Sequence, residues 1–260
     1  MCLLVVAWKT HPRYRLLVAA NRDEFHDRPA APLGWWNDDP RVLAGRDLKA
    51  GGAWLGVARS GRFGIVTNFR DLESAPAPDA PSRGSLVPAF LTGAATPEEF
   101  FEGMRGSAQR FAGFNLLVGG PDSLHYVSNR SAVDSRPLAR GIYGLSNHSL
   151  DSPWPKLVRT RQKFTRLIDR DEPDAAAMFD ILADRETAPD SELPHSGLPL
   201  DWERALSAPF VLHGRYGTRC STVMFVRHDG RTVVQERRFD SSGRETGVTR
   251  LEFTGAATTE

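Results

Sequence analysis

The chain reads as an α+β protein in which strands come first, helices follow and strands return. Three observations predict it. Apolar hairpins fill residues 3–20 and 53–68 near the start. Segments with helical caps or helical periodicity begin only at Thr96 and again at Trp154. A last hairpin occupies residues 220–239. Strands do not alternate with helices around a glycine-rich phosphate loop, which argues against dinucleotide-binding and P-loop folds.

The elements follow in order. Leu3 to Trp8 and Tyr14 to Ala20 are continuous apolar runs, and Lys9 to Arg13, containing Pro12, connects them as a hairpin loop. If Trp8 faces Tyr14, Cys2 faces Ala20, and Asn21-Arg22-Asp23-Glu24 lies just past the strand at the Cys2 end. Ala53 to Arg59 turns at Ser60-Gly61 and returns as Arg62 to Asn68, which sets Asn68 opposite Ala53. Asp71 to Pro81 is rich in proline and alanine and reads as a loop. Thr96-Pro97-Glu98-Glu99 opens a helix with a capping box and proline in the first turn. Phe114 to Val118 and Leu124 to Ser128 form another strand pair, and Ile142 to Ser146 a further strand. Trp154 to Ile168 is a helix whose many basic residues read as a solvated face, and Asp174 to Leu182 is a second. Residues 185 to 200 read as loop. Cys220 to Arg227 and Thr232 to Phe239 turn at Asp229-Gly230, and a loose tail follows from Thr254. Without an internal repeat or a clean linker, residues 1–260 read as one domain.

Composition narrows the function. A hydrophobic fraction of 40% supports a real core, and a net charge of +1 without a basic run argues against a nucleic-acid surface. Cys2 and Cys220 are the two cysteines, too few for a disulfide framework or a zinc cluster, so a reducing, cytoplasmic compartment is expected. The seven histidines are scattered, which argues against a dedicated metal site. Leu3 to Trp8 is too short for a membrane span and lacks the basic leader of a signal peptide, so no transmembrane segment is expected.

Cys2 is the most informative residue. Trimming of Met1 would leave a thiol and a free α-amine on one residue. An α-amine titrates near ~8 and a thiol near ~8.5, so the amine can serve as a built-in base. The plain alternative is a small apolar residue at a strand start. Asp23 is placed to hold the amine, and Arg22 to lower the thiol pKa or grip an anionic substrate group. Asn21 belongs to the same polar cluster, whose plain reading is a charged turn. Asn68, in Thr67-Asn68-Phe69-Arg70, and Asn147, in Ser146-Asn147-His148, are amide donors suited to an oxyanion hole or, equally, to local turns. Arg70, His148 and Arg219 are further candidates for substrate contact, with solvated surface roles as their alternative. Trp35, Trp36 and Trp54 read as core or pocket wall.

In series, Cys2, Asn21-Arg22-Asp23-Glu24, Gly52-Ala53-Trp54, Thr67-Asn68-Phe69-Arg70, Ser82-Arg83-Gly84, Gly113-Phe114-Asn115-Leu116-Leu117, Gly144-Leu145-Ser146-Asn147 and Glu236-Arg237-Arg238 resemble the NRDE family, which includes the transport and Golgi organisation protein 2 homologues. The resemblance spans essentially the whole chain. More distantly the family is similar to the choloylglycine hydrolase and penicillin V acylase group of N-terminal-nucleophile amidases. That similarity implies a four-layer αββα sandwich, two antiparallel sheets flanked by helices. It further implies Cys2 as nucleophile, Asp23 as amine partner, and Asn68 and Asn147 as the oxyanion pair, with no cofactor. Two features depart from the amidases: the position three residues before Asp23 is Ala20 where they carry Arg, and their late Arg has only Arg219 as a nearest match. The resemblance therefore implies a cysteine-dependent hydrolase or acyltransferase acting on an amide or thioester. Family links to haem movement and lipid homeostasis imply the alternative of a non-catalytic carrier that holds a small hydrophobic ligand, haem or a lipid or acyl-CoA, in the same cleft. Cys2, His11, His26 or His148 would then touch the iron.

Overall fold

In this computed structural model, residues 2–71, 77–130, 134–170, 172–194 and 196–256 are described. Met1, part of the loop expected at Asp71 to Pro81, His195 in the next expected loop and the end of the expected tail lie outside them. The first hairpin is β1 (Cys2–Trp8) and β2 (Tyr14–Phe25). Successive side chains on a strand point to opposite faces. Leu4, Val6, Leu16 and Val18 accordingly enter the space between two sheets, while Val5, Ala7, Leu17 and Ala19 meet helices.

The register differs from the sequence expectation: Cys2 faces Arg22, and Ala20 faces Leu4. Lys9 takes φ 53° and donates its N–H to the Arg15 carbonyl at 2.7 Å, so the loop closes two residues further along β2. Asn21 to Glu24 also lie within β2 rather than beyond it, because the late strand β12 (Tyr216–Arg227) pairs with β2 as far as Phe25.

The first sheet continues through β10 (Gly141–Leu145), β11 (Leu212–His213), β13 (Arg231–Phe239) and β14 (Glu245–Thr254). Its order is β10-β1-β2-β12-β13-β14, with β11 on β12. The second sheet runs β3-β4-β5-β6-β7-β8-β9: Ala30–Trp35, Val42–Asp47, Leu55–Ala58, Phe63–Asn68, Phe114–Gly119, Leu124–Ser128 and Asp134–Pro137. Every strand pair is antiparallel. In the β5–β6 hairpin Leu55 faces Ile65, one residue from the expected register. Gly61 sits at φ 78° and Ala58 bonds Arg62, the three-residue loop with a left-handed glycine rather than a two-residue turn.

Helices close both outer faces. α1 (Leu86–Thr92) and α2 (Pro97–Met104) cover the second sheet, where Val87, Phe90 and Phe101 pack on Val42, Leu116 and Val118. The expected capping box at Thr96 is present: Glu99 N–H bonds the Thr96 hydroxyl, and the Thr96 N–H bonds the Glu99 carboxylate. α3 (Pro155–Ile168) and α4 (Ala175–Leu182) cover the first sheet through Phe164, Leu167, Met178 and Leu182. A short α5 (Leu200–Leu206) follows. The four layers are helix, sheet, sheet, helix, and the chain is an α+β sandwich. No helix among the described residues is long and apolar enough to cross a membrane.

Candidate active site

Cys2 and Arg22 are direct cross-strand partners at the open end of β1 and β2. Even-numbered residues here face the gap between the sheets, so the thiol and the guanidinium share that gap. Across it the Arg22 guanidinium lies on the Trp54 ring, 4.5 Å from its centroid. Trp54 can lie there because Gly45 has no side chain; a Cβ on Gly45 would sit 2.2 Å from the Trp54 ring. The loop carrying Trp54 is fixed in turn by the loop carrying Arg83. Ala53 N–H donates to the Gly84 carbonyl at 2.9 Å, and a Cβ on Gly52 would fall 2.4 Å from the Gly84 backbone. Two glycines thus allow the backbone approach that brings Trp54 and Arg83 to one cleft.

That cleft, about 120 Å³, is lined by Cys2, Arg22, Asp23, Trp54, Asn68 and Arg83, together with Glu24, Arg28 and Asp47. Asn68 ends β6 and lines the cleft, and its side chain makes no hydrogen bond among the described residues. Arg28 is held by Asp47 at 2.6 Å. Arg83 donates to the Gly113 carbonyl at 2.9 Å.

Burial pushes the Cys2 thiol above its ordinary value, and the Asp23 charge pushes the same way. Arg22 and a backbone N–H of Asp23 pull it down, so the sequence reading of Arg22 has the right sign, but burial is the larger effect. The thiol is therefore kept protonated until a base takes the proton. Asp23 projects to the opposite face of β2 from Arg22, towards the helices. Its Oδ1 accepts from the Thr218 hydroxyl at 2.7 Å, and its carbonyl accepts from the Tyr216 hydroxyl at 2.8 Å. Burial raises the Asp23 pKa, opposed by the positive charge of Lys156. Lys156 is itself buried in the first turn of α3 and has its pKa lowered to about 8, chiefly by burial.

The other predicted residues occupy different places. Asn147 is buried behind Asn68: its amide donates to the Asn68 carbonyl at 3.0 Å, and Ser146 bonds both Asn147 Oδ1 and the Cys2 carbonyl. This network ties the end of β6 to the start of β1. Asn21 clasps the Leu182 and Pro209 carbonyls, both at 2.9 Å, and accepts from Ser221. Arg70 pairs with Glu203 at 3.3 Å and lies over Trp154. With His148, which stacks on Phe69, it borders a separate cavity of about 570 Å³. Arg219 falls at the bulge between Thr218 and Cys220, and its guanidinium bonds the carbonyls of Phe25, His26 and Arg28, away from the cleft. Among the described residues, no three His, Cys, Asp or Glu side chains are grouped to hold a metal ion.

Sequence reasoning missed Arg83 in the cleft with Cys2, and Thr218 and Lys156 as partners of Asp23. Arg83 stands in Ser82-Arg83-Gly84, a motif whose loop placement became clear only through its backbone bond to Ala53. Lys156 had a readable signal, since a cation in the first turn of a helix opposes the helix dipole.

The relatives agree with this fold. The model for the family described as Transport and Golgi organisation 2 matches residues 1–241. The Mus musculus Transport and Golgi organization 2 homolog is 32% identical over 277 aligned positions, covering 98% of this chain and 99% of that protein. The Homo sapiens homolog is 32% identical, covering 91% and 92%. Among solved structures, the Caenorhabditis elegans N-acylethanolamine-hydrolyzing acid amidase ortholog superposes with a TM-score of 0.51 at 16% identity, covering 86% of this chain and 92% of that one. A mutant conjugated bile acid hydrolase from Clostridium perfringens superposes with a TM-score of 0.52 at 10% identity, covering 100% and 99%. The structural likenesses show a shared fold, and the sequence matches extend along nearly the full chain: it belongs to the Transport and Golgi organisation 2 family.

Proposed function

We propose that the protein is a cysteine-dependent acyl-transfer hydrolase acting on an amide or thioester carbonyl, with Cys2 as nucleophile. The observation that carries this reading is the placement of the Cys2 thiol on the cleft wall. Asn68 is beside it, and Asp23 lies at the same strand end. In a chain trimmed to Cys2, the α-amine takes the thiol proton as sulfur attacks the carbonyl carbon. The oxyanion that forms accepts from the Asn68 amide, whose main chain is held by Asn147. Collapse breaks the C–N or C–S bond, and the ammonium returns its proton to the leaving group. Water then hydrolyses the thioester on Cys2 with the amine again as base. Asp23 orients the amine, and the two free cysteines suit the reducing, cytoplasmic setting expected from the sequence.

The carrier alternative draws no specific support from the cleft. About 120 Å³ is small beside the ~300–1,000 Å³ of ligand pockets. None of His11, His26 and His148 lines it. The test is hydrolysis of a panel of short acyl amides and thioesters by wild type and Cys2→Ala. The proposal requires turnover in the first and none in the second. Equal rates in the two would reject it.

A further inference from the structure

The cleft beside Cys2 is lined by three arginines, and they differ in how they are neutralised. Arg28 is paired with Asp47 and lies 4.0 Å from Glu24, so it serves these two carboxylates. Asp23 points to the other face of its strand, where Lys156 is the nearby cation. Arg22 and Arg83 hold no ion pair among the described residues, although Asp23 and Glu24 attract them from further off. Arg22 is 6% exposed, and among the described residues its guanidinium has only the face of Trp54 as a partner. Arg83 has one bond among the described residues, to the Gly113 carbonyl. A guanidinium carries five N–H donors in a fixed fork that matches a carboxylate or phosphate. Stacking on an indole satisfies the face of the Arg22 guanidinium and leaves its edge free for such a group. Burying it without an anion is costly. An aromatic platform, two cations of this kind and a nucleophile on one small cleft make a built site rather than a charged surface.

We propose that Arg22 and Arg83 form an anion subsite, and that the substrate is an acyl compound carrying a carboxylate or phosphate group close to its scissile carbonyl. The proposal rests on the acyl-transfer reading for the carbonyl but not for the anion. Arg22 is the cross-strand neighbour of Cys2, so an anion held at its edge lies within a few bond lengths of the thiol. The small cleft volume favours a short connection between the two groups.

The test has two arms. In the first, Cys2 is alkylated with iodoacetate and with iodoacetamide, and the ratio of rates is compared with that of free cysteine. Both reagents need the thiolate, so the ratio cancels any change in thiol pKa. Wild type should exceed free cysteine by at least about tenfold, and Arg83→Met and Arg22→Met should each remove most of that preference. Arg83→Lys, which keeps charge but not the fork, should keep part of it. In the second arm, butyrate, butyl phosphate and butyramide are titrated into Cys2→Ala by calorimetry. Saturable binding of one or both anions, absent for butyramide and lost with Arg83→Met, supports the subsite, and the better anion identifies the group. A ratio equal to that of free cysteine, with no anion binding in Cys2→Ala, overturns it. A Cys2 inert to both reagents, with arginine-dependent anion binding intact, removes the acyl-transfer reading and leaves the subsite standing. Fast alkylation by both without preference does the reverse.

Discussion

Cys2 and Arg22 face one another across β1 and β2, and both side chains enter the gap between the sheets. The thiol is thus placed against a cation that is itself propped on Trp54. Burial and the Asp23 charge raise the thiol pKa, and Arg22 is one of the groups that oppose them, so removing it moves the pKa up. Arg22→Met should therefore slow iodoacetamide alkylation of Cys2 at neutral pH by roughly three- to tenfold. A pH–rate profile checks it, and an unshifted profile would show that Arg22 does not act on the thiol.

Asp23 separates chemistry from stability. Burial already favours its neutral form, and an amide at that position keeps an oxygen for the Thr218 hydroxyl. Asp23→Asn should fold with a stability within about 1 kcal/mol of wild type. Turnover should fall by about 10²–10⁴-fold as the amine loses its carboxylate partner. Chemical denaturation and steady-state rates measured on one preparation check both halves.

The fold was more legible than the site. Apolar runs and turn residues placed the hairpins at 2–25, 55–68 and 216–239 to within a few residues, because strands buried on both faces read as short continuous apolar runs bounded by turns. β3 was hidden by Pro32, which only an edge strand tolerates, and β3 is an edge. β14, with Glu245, Thr249 and Arg250, is an edge strand with little apolar signal. Cys2, Arg22, Asp23 and Asn68 line one cleft, because the facing sheets bring the β1–β2 and β5–β6 hairpins together there. Arg83 and Lys156 reach the site through contacts distant in sequence, which periodicity does not encode. The same limit put Arg219 in doubt, since its direction depends on a bulge.

Lys156 gives the protein a signature in alkaline solution. Burial lowers its pKa in the folded protein to about 8 from an ordinary 10.5, with Asp23 opposing and Arg70 assisting. Between these values the unfolded chain binds more protons than the folded one, so stability rises with pH across that window. Below it, the buried ammonium destabilises the fold, on the order of a few kcal/mol. Lys156→Met should be the more stable protein at neutral pH, and its advantage should shrink from pH 8 to 10.5. Denaturation midpoints of the two proteins at several pH values measure it.

Gly45 is the support for Trp54, and so for Arg22. A Cβ there would overlap the indole and force it to move. Gly45→Ala should cost about 1–3 kcal/mol, a Tm drop of roughly 5 °C. It should also reproduce part of the Arg22→Met effect on Cys2 alkylation. Lost stability with an unchanged alkylation profile would disconnect Trp54 from the site.

The central claim, that Cys2 is the nucleophile, is tested most directly by trapping. The purified protein is mixed with an activated short-chain thioester, quenched within seconds and mapped by mass spectrometry. The account predicts a chain beginning at Cys2, with one acyl group on Cys2 and none on the buried Cys220. It also predicts that the adduct decays as free acid accumulates. Retained Met1, or acylation that does not distinguish the two cysteines, would contradict it.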